Sequence, residues 1–184
     1  MYIRSGSSFS LTRHDGVAID YEISDNILYL KNNYTGDVVL ILPENDNYET
    51  LLLTVADGHV YWESPLTVQT LELKVAQGEV KLESVSAAGN SSIEVTHGSA
   101  FLSGNPGHSV TANCQGGHLS LEVSLAQSDY NYEIELSNGN IRLGKEQYHG
   151  RSYSHTVDNG AERSMKLTCA QGDISVEFNK AGGN

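Results

Sequence analysis

From about residue 50 onward the chain alternates apolar and polar residues in short runs: LELKV, EVKLE, IEVT, LSLEV, YEIEL, IRL, MKLTC and ISVEF. A period of two places every second side chain on one face, which is the pattern of a half-buried strand. No window keeps apolar residues at helical spacing over three turns. The runs predict strands of about four to six residues and almost no helix.

Aligning the runs on the glycine between them reveals a period. The punctuating glycines are Gly36, Gly58, Gly78, Gly98, Gly117, Gly139 and Gly172, with successive spacings of 22, 20, 20, 19, 22 and 33. Three residues before the glycine stand Val55, Val75, Val95, Cys114, Leu136 and Cys169; five before stand Leu53, Leu73, Ile93, Ala112, Ile134 and Leu167. Two after it come Val60, Val80, Ala100, Leu119, Ile141 and Ile174, and four after come Trp62, Leu82, Leu102, Leu121, Leu143 and Val176. The positions between hold Thr, Lys, Glu, Ser and Arg. Columns that stay apolar in every repeat predict a stacked inner face, and so an all-β, single-domain parallel β-helix (β-solenoid) of about seven to eight coils of roughly 20 residues. Glycine at each turn is expected to supply the positive φ of a sharp bend. An antiparallel sandwich also has regularly spaced short strands, but it does not require column-by-column identity. The expected layout is a cap and first coils over 1–50, regular coils over 51–143, a polar insertion over 144–164, a last coil over 165–178 and a flexible tail over 179–184.

Composition narrows the function classes. The 184 residues carry 23 acidic and 11 basic side chains, a formal charge of −12. Lys and Arg cluster on no segment, which argues against nucleic acid and against anionic membrane surfaces. The most apolar stretch, Val38–Leu42, is far shorter than the roughly 20 residues of a membrane-spanning helix. The N-terminal MYIRSGSSFSL has no signal-peptide apolar region. The expected location is cytoplasmic if the chain is full length and the cell surface if it is a fragment of an adhesin-like protein.

The run ILPENDNYETLLLTVADGHVYWES at 41–64, the following LELKVAQGEVKLES, and GAERSMKLTCAQGDISVEF at 160–178 together resemble a bacterial adhesin-like family of unknown function. An apolar-Pro step entering the repeats, Leu42-Pro43 here, and a polar insertion before the last coil, residues 144–164 here, belong to the same resemblance. It implies a right-handed β-helix of Gly-centred coils and brings no catalytic residues.

Candidate chemistry is sparse. Both cysteines fall in one inward column with Leu136 in the coil between them, so sequential stacking predicts Cα atoms roughly 9–10 Å apart, beyond disulfide reach, and two reduced buried thiols. The seven histidines, His14, His59, His97, His108, His118, His149 and His155, lack metal-site spacing, so no metal and no cofactor is expected. Glu63 and Glu83 share an outward column and would form the carboxylate pair of a carbohydrate-active enzyme. No cleft-forming insertion accompanies them, so no catalytic residue is expected. Tyr130, Tyr132, Tyr148, His149, Tyr153 and His155, in or beside the insertion, form the candidate binding group, because aromatic surfaces suit glycan or protein contacts. The expected function is a non-catalytic adhesin-like interaction or scaffold module that binds a protein or glycan through a lateral face. The alternatives are the carbohydrate-active enzyme and a structural homo-oligomer associating through solenoid ends or edges.

Overall fold

The computed structural model describes residues 1–6, 8, 10–13, 21–24, 27–30, 38–43, 48–62 and 64–179. Gly36, His14, Glu63 and the tail beyond 179 lie outside the described residues. The chain divides into two compact units, Met1–Asn45 and Asp46–Asn184.

The first unit holds β1 (Tyr2–Gly6), β2 (Ser10–Arg13), β3 (Tyr21–Ser24), β4 (Ile27–Leu30) and β5 (Val38–Pro43). Strand β5 pairs in parallel with β1 and antiparallel with β2, while β3 and β4 pair antiparallel with each other. Leu11 and Leu40, opposite one another across β2 and β5, are both buried.

The second unit holds β6 (Tyr48–Val55), β7 (His59–Trp62), β8 (Leu66–Val75), β9 (Glu79–Ala87), β10 (Asn90–Val95), β11 (Ser99–Asn105), β12 (Ser109–Cys114) and β13 (His118–Val123). After a single 3-10 turn at Gln127–Asp129 come β14 (Tyr130–Leu136), β15 (Asn140–Leu143), β16 (Glu146–His149), β17 (Tyr153–Val157), β18 (Arg163–Cys169) and β19 (Asp173–Phe178). One ladder runs β6–β8–β10–β12–β18–β14 and a second runs β7–β9–β11–β13–β19–β15, each parallel within itself. The start of β8 pairs with the end of β9, Leu66 opposite Val85 and Val68 opposite Ala87, which joins the two ladders. The result is a nearly closed, barrel-like sheet in which the two ladders hold 12 strands. No helix among the described residues is long and apolar enough to cross a membrane.

This corrects the parallel β-solenoid expected from the period. Two findings overturn it. Pairing is mixed: β16 runs antiparallel to β15, and β17 antiparallel to β14. Neighbours also do not follow chain order, because β18 and β19 lie between β12/β13 and β14/β15. The physical reason is that alternation fixes which side chains face inward but says nothing about which strand lies alongside which. Within residues 144–164, β16 and β17 carry the chain back antiparallel to β15 and β14.

The apolar columns do meet inside the sheet. Leu71, Leu73, Val75, Val80, Leu82, Val95, Leu119, Leu121, Leu167 and Val176 are all buried, side by side with their counterparts on neighbouring strands. Polar positions alternate with them, as along β10, where Ser91, Ile93 and Val95 are buried while Ser92 is exposed and Glu94 half-buried. The glycines serve a purpose different from the one expected. Among the column glycines that the structure describes, only Gly58 has a positive φ, 93°. At Gly98 a Cβ would overlap the Gly78 carbonyl, and at Gly172 it would overlap the Gly117 carbonyl. Glycine is needed there because the next strand's turn passes too close for any side chain.

Candidate functional site

The six residues of the candidate binding group are divided by the structure into three settings. Tyr130 and Tyr132 are interior, at 0% and 2% exposure, so neither contributes to a binding surface. The Tyr130 hydroxyl donates to the Gly107 carbonyl (3.0 Å), and the Tyr132 hydroxyl donates to the Gln127 carbonyl (2.6 Å). Tyr132 also meets the Phe178 ring edge-on at 6.3 Å. Burial pushes the Tyr130 phenol up to about 12 and raises Tyr132 as well, because a phenolate would lose its hydration there. Both rings are large core residues whose polar tips are satisfied by backbone.

The second setting is the reversed end of the sheet. Gly144 opens the two-residue turn from β15 into β16 with φ 58°, the conformation such hairpin turns demand. Strand β16 then covers the free edge of β15, and β17 covers that of β14. Tyr148 lies opposite Ile141, Tyr153 opposite Leu136, and His155 opposite Ile134. Residues opposite one another in an antiparallel pair project to the same side. The three rings therefore extend the inward columns one strand past the buried core. They meet each other, with centroids 5.9 Å apart for Tyr148–Tyr153, 5.7 Å for Tyr148–His155 and 6.0 Å for Tyr153–His155. With no further strand beyond them among the described residues, Tyr153 stays 38% exposed and His155 is exposed, while Tyr148 is half-buried. The Tyr148 hydroxyl donates to the Glu146 carboxylate (2.6 Å). Burial first, and then that hydrogen bond, raise the Tyr148 phenol above its ordinary value.

His149 is the third setting. It follows Tyr148 by one residue, so strand alternation turns it to the opposite side, where it is exposed opposite Asn140. The structure thus brings together three of the six residues and adds Glu146, which an aromatic pattern does not mark. The alternation Glu146, Tyr148 was the available signal, and it is only two residues long.

Other polar groups are arranged along the outer faces. Lys166 on β18 reaches Glu133 (2.8 Å) and Glu135 (3.2 Å) on β14. Arg142 on β15 pairs with Glu177 on β19. Glu83, one member of the suggested catalytic pair, is held by Lys81 at 2.5 Å. Asp57, His59, Gln77, Glu79 and His97 line an open groove of about 370 Å³ across the first turns of this unit. In it the Glu79 carboxylate accepts from the Tyr61 hydroxyl (3.2 Å) and lies 3.6 Å from His59 Nε2. Among the described residues no three His, Cys, Asp or Glu side chains converge where a metal ion would sit.

The spacing of Cys114 and Cys169 differs from the one expected. They are directly paired residues of β12 and β18, not separated by an intervening strand. Both are reduced and buried.

Comparison with known proteins adds one relation. No curated protein matches the chain, and no solved structure does. A family model matches residues 9–184, and on that match the chain belongs to the Toastrack DUF4097 family, a family of unknown function.

Proposed function

We propose that the chain is a non-catalytic, adhesin-like interaction module that binds a neutral or amino-sugar glycan at the reversed end of its sheet. The observation that carries this reading is the contact of Tyr148, Tyr153 and His155 in one partly exposed aromatic group. Sugar rings present C–H faces that pack on aromatic faces, and a nearby carboxylate, Glu146 here, accepts from their hydroxyls. Rings already held against each other lose little freedom on binding, which favours affinity. The preference for uncharged or amino sugars follows from the charge of −12, which repels acidic glycans over a Debye length.

The test is titration of the protein with neutral hexose oligomers and N-acetylhexosamine oligomers, followed by isothermal calorimetry. The double variant Tyr153→Ala/His155→Ala is expected to weaken binding by at least tenfold, while Leu52→Ser, an exposed position on β6, leaves it unchanged. Equal affinity in the double variant, or no saturable binding to either series, overturns the reading. A second reading, self-association, is favoured by the outer edges of β16 and β17, which pair with no further strand among the described residues. A mass by light scattering that rises with concentration and returns to monomer in the same double variant would put that reading first.

A further inference from the structure

We propose that Cys114 and Cys169 form a reversible oxidation site, closed to an intramolecular disulfide by a small hydroperoxide. The two residues are opposite one another in the parallel pairing of β12 with β18. Neighbouring strands lie about 4.8 Å apart, which puts the Cα atoms within the roughly 4.4–6.8 Å span of disulfides. Both side chains belong to the same inward column, so the sulfurs project to one side of the sheet. Each S–H also makes the same contact: Cys114 Sγ donates to the Gly117 carbonyl at 3.2 Å, and Cys169 Sγ to the Gly172 carbonyl at 2.9 Å. Closure therefore requires two χ1 rotations, the loss of two weak hydrogen bonds and a slight approach of the two Cβ atoms, with no change of strand register.

The pair is chemically asymmetric. The Cys169 thiol can donate to a thiolate at Cys114, which lowers the Cys114 pKa, and that same arrangement raises the Cys169 pKa. Cys114 is then the attacking sulfur. Its thiolate attacks the O–O bond of the hydroperoxide, forming an S–O bond and releasing water or an alcohol, and leaves a sulfenic acid. The Cys169 sulfur next attacks Cys114 Sγ, the S–O bond breaks, and hydroxide leaves with the thiol proton as water. Two thiols are oxidised by two electrons and the peroxide is reduced by two. Hydrogen peroxide is small enough to reach a buried site through brief local opening, where a bulky disulfide reagent is not.

In-register strands hold Cβ atoms farther apart than the roughly 3.8 Å usual for a disulfide, so the bond is strained and readily reduced. Its consequence is topological. Strand β18 sits between β12 and β14, and the cross-link ties it to β12. Oxidation would thereby decide whether the C-terminal strands can leave the sheet.

The experiment treats the full chain with hydrogen peroxide in native buffer, blocks remaining thiols, and maps peptides by mass spectrometry without reduction. The expected product is one intramolecular link between Cys114 and Cys169, with the loss of two hydrogens, reversed by dithiothreitol, and a higher urea midpoint in the oxidised form. Unchanged thiols, a sulfinic acid on one cysteine without a link, or links only between chains each overturn the proposal. Because the readout is a linked peptide from the unmutated protein, it does not depend on a cysteine variant folding.

Discussion

Tyr130 gives the sharpest residue-level handle on stability. Its phenol ionises near pH 10 in an unfolded chain, whereas burial raises it to about 12 in the fold. A raised folded pKa means that the folded state holds the proton more tightly. The stabilisation is fully present below pH 10 and disappears as pH rises through 12. The difference amounts to about 2–3 kcal/mol. Urea midpoints measured from pH 7 to 12 should stay level to about pH 9 and then fall, ahead of the ionisation of the buried phenol itself. Tyr130→Phe should cost about 1 kcal/mol at neutral pH, because the Gly107 carbonyl loses its donor, and should lessen the alkaline fall by this phenol's share, the raised Tyr132 and Tyr148 phenols supplying the rest. A variant whose alkaline fall matches the parent's would show that this phenol is not the source. Sequence reasoning placed Tyr130 and Tyr132 on the surface because they border a polar segment. Their inward direction was nonetheless visible in YNYEIEL, where Tyr130, Tyr132, Ile134 and Leu136 alternate with polar residues. The glycines show the opposite case: their positions were legible and their reason was not. Close approach by a carbonyl from a neighbouring turn is a tertiary fact that no local pattern records.

At the scale of the strand, the inward columns were legible and their order was not. Leu53, Leu73, Ile93, Ala112, Leu167 and Ile134 do lie opposite one another in succession, but Leu167 precedes Ile134 although it follows it in the chain. Hydrophobic side chains of similar size fit either neighbour, so the period carries no ordering information. The wide gap of 33 residues between Gly139 and Gly172 was the one sign of irregularity, and it marks where the chain reverses over β16 and β17. Polar partners on the outer face discriminate where apolar ones do not. Thr111 on β12 is exposed and lies opposite Lys166 on β18. In chain-order stacking it would instead lie opposite Glu133. Thr111→Glu should therefore stabilise by about 0.2–1 kcal/mol, and the gain should vanish in a Lys166→Met background. A loss of stability that Lys166→Met leaves unchanged would place Thr111 beside Glu133 and contradict the observed order. The effect stays small because Lys166 already has two carboxylate partners and all these groups touch solvent.

For the second unit as a whole, the interleaved order makes the C-terminal strands central to cooperativity. In a chain-order stack the last coil would be terminal, and losing it would leave everything before it paired. Here β18 and β19 are what connect β14 and β15 to β12 and β13. Residues 130–157 thus depend on strands made after them, and their core column is complete only once Leu167 and Val176 are in place. Leu167→Asp tests this by putting a charge at a position with 0% exposure, which costs more than the fold around it can absorb. Hydrogen exchange should then show β14 through β17 losing protection together with β18 and β19. The ladders from β6 to β13 should remain protected, because their pairings and columns are intact without the later strands. That partly opened form would expose the edges of β12 and β13, so its association should rise with concentration. If 130–157 stays protected while 163–178 opens, the C-terminal strands are terminal after all and the interleaving is wrong. If instead β6 to β13 opens at the same rate, the sheet behaves as one closed cooperative body. The aromatic end would then be destabilised by any core substitution, and the proposed glycan binding there would follow global stability rather than local order.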